Sequence, residues 1–166
     1  MMAPATHDHQ RIASNLERLL NDAMKRLPHP LIPRRAAYQR IGVNLGPVVE
    51  DYDPEPDVAV VDIATTGSRR YADRFYLVVE VVSSSDESKI EDKREIYKLH
   101  PDCECVIVIR QDRYEVVVDL RTGGKWRQAT YENEDDRLDL PGFGLRCSLK
   151  DIYEDTIGPL GSGRRK

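Results

Sequence analysis

The chain has 166 residues, 40% hydrophobic and 33% charged, with a net charge of −4. This length suits one domain whose core needs no covalent or metal staple. No apolar run approaches the roughly 20 residues of a membrane span, and the N-terminus lacks the basic-then-apolar pattern of a secretory signal. The acidic balance excludes a broadly basic nucleic-acid-binding surface but leaves room for a local basic groove. Cys103, Cys105 and Cys147 cannot all pair within one chain. They are expected to be small buried side chains in a reducing cytoplasm, Cys103 and Cys105 on one face of a strand.

Residues 7–27 carry Ile12, Leu16, Leu19, Leu20, Ala23 and Met24 at three- and four-residue spacing, the stripe of an amphipathic helix ended by Pro28 and Pro30. His7 and His9, ahead of that stripe, are expected to face solvent, with adventitious metal binding as their only other prospect. Residues 38–45 alternate as a half-buried strand. The acidic turn EDYDPEPD then delivers the chain into a strand at 58–63. The loop TTGSRRYADR leads to FYLVVEVV, residues 75–82, a run apolar enough for a central strand covered on both faces.

Serines 83–85 are a helix-start signal, and residues 86–100 have helical character up to Pro101. Another buried strand is expected at 105–109, and a meander at 114–120 and 126–131. A short helix is capped by Ser148, and residues 159–166 read as a flexible tail after a single domain of residues 1–158. One helix between two buried apolar strands implies a crossover within a mixed sheet.

Glu80 is the only charge in FYLVVEVV. A carboxylate in such a place costs several kcal/mol (roughly) unless it is paired, neutralised or bound to metal. Asp57 opens the preceding strand, directly after Pro56, and approaches Glu80 if the two strands are neighbours. Two carboxylates held close repel, and a divalent ion between them removes the repulsion. Hard oxygen donors suit Mg²⁺ or Mn²⁺.

On the following helix, Ile90, Ile96, Tyr97 and Leu99 span one half of the circumference, while Glu91, Arg94, Glu95 and Lys98 fill the expected solvent half. Lys93 lies inside the apolar half, directed at the sheet, with Lys89 four residues earlier on the same side. A buried acid and an inward cation explain each other. No Gly-rich phosphate loop or Ser/His/Asp arrangement is present.

The succession PEPDVAVV, LVVEVVSSSDES, DKREIY, ECVIVIRQDRYEVVV and LPGFGL resembles the Uma-two family of restriction-endonuclease-like proteins, itself similar to the PD-(D/E)XK nucleases, over about residues 38–153. The resemblance implies an α/β fold: a restriction-endonuclease-like mixed β-sheet with flanking helices, an αβββαβ core and a C-terminal β-meander. Asp57 matches the acid of the PD half-motif and Glu80 the second acid. The superfamily places a lysine two residues after that acid, where this chain has Val82. Uma-like sequences carry the lysine on the next helix, four residues before a tyrosine, and Lys93 and Tyr97 match that pattern.

The implied chemistry is metal-assisted hydrolysis of DNA. Asp57, Glu80 and the Val81 carbonyl hold Mg²⁺ or Mn²⁺, and Lys93 orients the attacking water or stabilises charge on the phosphate. Glu17, Tyr97 and Lys89 are accessory candidates. Arg40, Arg69, Arg70 and Arg74 are candidates for a basic cleft opening onto Asp57, and Arg164, Arg165 and Lys166 form a cationic end. A homodimer is expected if both strands are cut. The alternative is a catalytically inactive interaction module of nuclease fold, in which Glu80 and Lys93 form a structural ion pair.

Overall fold

The computed structural model describes residues 6–46, 48–66, 71–83 and 87–159. Its first helix, α1 (His7–Lys25), begins where Thr6 accepts the His9 N–H and buries Ile12, Ala13, Leu16, Leu20, Ala23 and Met24. That burial accounts for the stripe and fixes which side of α1 meets the sheet.

The predicted strand at 38–45 is two strands. β1 (Arg35–Gln39) pairs antiparallel with β3 (Val58–Asp62), whereas β2 (Gly42–Val43) leaves the sheet to pair in parallel with β4 (Tyr71–Ala72). The break falls at Arg40, whose φ of 52° is left-handed and cannot continue a strand. A short helix, α2 (Ile63–Thr66), follows β3.

β5 (Phe75–Val82) is buried along its whole length, as its apolar run requires. It pairs antiparallel with β3 and in parallel with β6 (Cys105–Arg110). The parallel pair is joined through helix α3 (Glu87–Lys98), since parallel strands need a crossover. β7 (Val116–Thr122) and β8 (Lys125–Tyr131) complete the sheet, in the order β1-β3-β5-β6-β7-β8. The αβββαβ reading therefore holds, with extra short elements between its parts.

Alternation along the strands divides the core in two. Val58, Val60, Leu77, Val79 and Val81 join the α1 residues in one cluster. Ala59, Val61, Phe75, Val78 and Tyr97 form another on the α3 side. The α1 layer is extended by a hairpin of β9 (Arg137–Leu140) and β10 (Leu145–Ser148), linked through a 3₁₀ turn at Pro141–Phe143, and by α4 (Leu149–Ile152). As predicted, Ser148 caps α4, in a reciprocal capping box with Asp151.

Two expectations about faces are corrected. Arg94 is 6% exposed and bonded to Asp119 of β7, because Asp119 alternates onto the sheet face that α3 covers. Leu99 is instead 60% exposed, since α3 ends one residue before it. Cys103 and Cys105 are buried free thiols but belong to different clusters, because β6 starts only at Cys105. Among the described residues, no helix is long and apolar enough to cross a membrane.

Candidate active site

Strand register brings the two acids together. Val58 lies opposite Val79, so one further step sets Asp57 against Glu80 on the same side of the ladder. Asp57 precedes β3, and its side chain takes over as partner where the β3 backbone stops. Its Oδ2 accepts the Val81 N–H at 2.7 Å. A strand residue's N–H and C=O point to the same edge, so the Val81 carbonyl is directed to the side occupied by Asp57. The Arg40 N–H donates to the Asp57 carbonyl at 3.3 Å, which ties the left-handed break after β1 to this residue.

Glu80 is 7% exposed. Tyr97 donates its hydroxyl to Glu80 Oε1 at 2.7 Å, and Lys93 Nζ lies 3.7 Å from the same oxygen. Burial pushes the Glu80 carboxyl up to about 7; Lys93 opposes the shift and Asp57 adds to it. The Tyr97 hydroxyl is raised by burial and by the nearby Glu80 carboxylate, so it remains a donor. The pairing of buried acid and inward cation read from the sequence is thus present, with Tyr97 as a second donor.

The accessory candidates fare differently. Glu17 is half-buried on α1 and accepts a hydrogen bond from Gln39. It lies about two turns along α1 from His9, roughly 12 Å by helical rise. Lys89 is exposed, one turn ahead of Lys93. Arg74 is engaged by Asp62 and Asp102. It precedes Phe75, at the end of β5 remote from Glu80, so it does not open onto Asp57. Arg40 is exposed beside Asp57, and with Arg11, His7, Gln10 and Gln39 it borders a groove of about 640 Å³. Arg69, Arg70, Arg164, Arg165 and Lys166 lie outside the described residues.

His9 departs from expectation. It is inside α1, its side chain is 18% exposed, and its Nε2 stands 3.2 Å from Asp57 Oδ1. The contact with Asp57 raises the imidazole pKa against the opposing effect of burial. The signal lay in the helical phase: three and four residues before Ile12 and Ala13, His9 continues the buried stripe by one turn. His7 is exposed, as expected.

Asp57, Glu80 and the Val81 carbonyl are all hard oxygen donors. Among the described residues, no three His, Cys, Asp or Glu side chains converge tightly enough to hold a metal by themselves. That donor set fits an ion that keeps several waters and takes one or two carboxylates, the habit of Mg²⁺. Glu80, destabilised as an anion by burial and by Asp57, is a carboxylate that a cation would relieve.

The sequence matches the model of the Uma2 family, described as "Putative restriction endonuclease", over residues 1–150. The chain belongs to the Uma2 family. A crystal structure of a "putative nuclease belonging to DUF820" from Anabaena variabilis resembles this Uma2 chain with a TM-score of 0.65 and 17% sequence identity, covering 92% of this chain and 84% of that one. At that identity the likeness shows the fold. No curated protein matches the sequence. Within this Uma2 chain, α1 and α3 reach the two acids from opposite faces of the sheet, His9 from one and Lys93 and Tyr97 from the other.

Proposed function

We propose that this Uma2 protein is a cytoplasmic endonuclease that hydrolyses DNA phosphodiester bonds with Mg²⁺ or Mn²⁺. The observation that carries the reading is Glu80, buried beside Asp57 where β3 begins, with Lys93 Nζ 3.7 Å from its carboxylate. Asp57 and Glu80, with the Val81 carbonyl, would hold the ion. A bound ion would supply Lewis acidity to polarise the phosphate and lower the pKa of an attacking water. Lys93 is 40% exposed along its side chain, so its ammonium faces both Glu80 and incoming substrate and offers positive charge to the phosphate oxygens. Tyr97 holds Glu80 Oε1 in place, and the Val81 N–H holds Asp57. Three free cysteines are compatible with a reducing compartment. Two such sites, in a homodimer, would cut both strands of a duplex.

A second reading has one observation in its favour. Lys93 and Tyr97 already satisfy Glu80 from within the chain, as a structural pair in an inactive interaction module would. Calorimetry with Mn²⁺ on the wild type, Asp57→Ala and Glu80→Ala separates the two, followed by plasmid cleavage. Binding and cleavage lost in both folded variants support the nuclease. A folded wild type that takes up no Mn²⁺, alone or with DNA present, sinks it and leaves the module.

A further inference from the structure

We propose that His9 is a positioning residue for Asp57, its imidazole N–H holding the carboxylate in the orientation from which it receives a divalent cation. The inference rests on the metal-dependent reading above and concerns a residue outside the ligand set.

Asp57 is not within a strand, so the sheet ladder does not fix its side chain. The Val81 N–H holds Oδ2 alone, and a carboxylate held at one oxygen still turns about that bond. His9, 3.2 Å from Oδ1, supplies the second point. A carboxylate oxygen has two lone-pair directions, so Oδ1 can accept from His9 and still offer its other side to a cation.

Among the described residues, nothing else around His9 gives the ring a polar task. Its Nδ1 is buried and finds no hydrogen-bond partner among the described residues. Leaving a buried polar nitrogen unpaired costs free energy, and a leucine would fill a core-facing helical position without that cost. Among the described residues, the contact with Asp57 is the one that repays an imidazole there.

Its backbone is anchored on both sides. Thr6 caps α1 through the His9 N–H, and Asp8 accepts the N–H groups of Ile157 and Gly158 at 3.0 and 2.7 Å. The imidazole is therefore delivered from a fixed helical turn. The arrangement parallels the other acid, where Lys93 and Tyr97 hold Glu80. Groups that orient metal-binding side chains from behind typically change affinity by about 10–100-fold when removed.

The test is Mn²⁺ calorimetry on the full chain as wild type, His9→Leu and His9→Gln, together with hydrogen exchange of the Val81 amide. Leucine keeps the packing and removes the donor; glutamine restores a donor. Mn²⁺ affinity is expected to fall by about 10–100-fold in His9→Leu and to recover in His9→Gln. The Val81 amide should exchange faster in His9→Leu alone, because its acceptor becomes mobile. Unchanged or tighter Mn²⁺ binding in folded His9→Leu overturns the proposal while the metal site stands. His9→Gln no better than His9→Leu also overturns it, since the hydrogen bond is then not the cause. A wild type that binds no Mn²⁺ fails one step earlier and removes the metal reading itself.

Discussion

Glu80 couples stability to pH through a carboxyl raised to about 7 from its ordinary 4.5. The folded protein keeps a proton on this group over a range where the unfolded chain has released it. Its contribution to stability is therefore full below about 4.5 and lost as pH rises through about 7. Urea unfolding of the metal-free wild type should show this decline, and Glu80→Gln should flatten it by about 1–3 kcal/mol across the window. Glutamine keeps an acceptor for Tyr97, so a variant no flatter than wild type would show that Glu80 ionises as an exposed acid does.

Glu80 was legible because a single charge in an unbroken apolar strand has no solvent side to turn to. Lys93 was legible from helical phase, and Asp57 from its place after Pro56. His9 escaped because a histidine beside Asp8 and before the first leucine looks like a helix end in water. What brings it to Asp57 is a strand start far along the chain, and no local pattern encodes that approach.

At the level of elements, α3 is attached to the sheet by charge as well as by apolar packing. Arg94 donates to Asp119 Oδ2 at 2.9 Å through Nε and 2.6 Å through Nη2, with both side chains buried, and its Nη1 meets Glu91. Removing one partner of a buried pair strands the other charge, typically at about 3–5 kcal/mol. Arg94→Ala should lose stability of that order in urea denaturation. The double variant Arg94→Met with Asp119→Leu should lose much less than the sum of its single changes. Additive losses would mean that the pair is solvated.

The strands of the central sheet other than β1 were readable because each has an apolar run or a regular alternation. The faces of α3 were not. Arg94 and Lys98 look solvent-bound until β7 places a buried carboxylate beneath them, as Lys98 Nζ, 4.0 Å from Asp119, also shows. The split of β1 from β2 was hidden because alternation continues through Arg40 while the backbone reverses hand. The β9–β10 hairpin was missed because its strands are four residues each and flank a Pro-Gly turn.

For the molecule as a whole, the last part of the chain holds the first. Asn15, 5% exposed, donates to the carbonyls of Ile152 and Glu154, and Asp8 takes the amides of Ile157 and Gly158. A chain ending at Asp155 should remain folded, since the central sheet, α1, α3 and α4 all lie before that residue. It should show faster amide exchange in the first turn of α1 and weaker Mn²⁺ binding, by about 3-fold or more, as the His9 turn loosens. Wild-type exchange and affinity in that truncation would show that α1 needs no such anchor.

Net charge acts at the same scale. At −4 the protein repels a polyanion, and on the proposed reading Asp57 and Glu80 add to this where a phosphate would approach. Binding of a short DNA duplex, followed by fluorescence anisotropy, is expected to be weak with chelator and at least about 10-fold tighter with Ca²⁺. Affinity independent of divalent ion would place the DNA contact away from the acids.

The contacts between the two ends also bear on synthesis. On the ribosome α1 is made well before its neighbours β10, α4 and the residues around 157. Lys93 and Tyr97 emerge midway, and the acids precede them. A nascent chain can therefore pair its early strands long before the helix carrying His9 is locked in place. The approach of His9 to Asp57 is therefore secured only after the residues around 157 have been made, and a product shortened before them would carry both acids without that support.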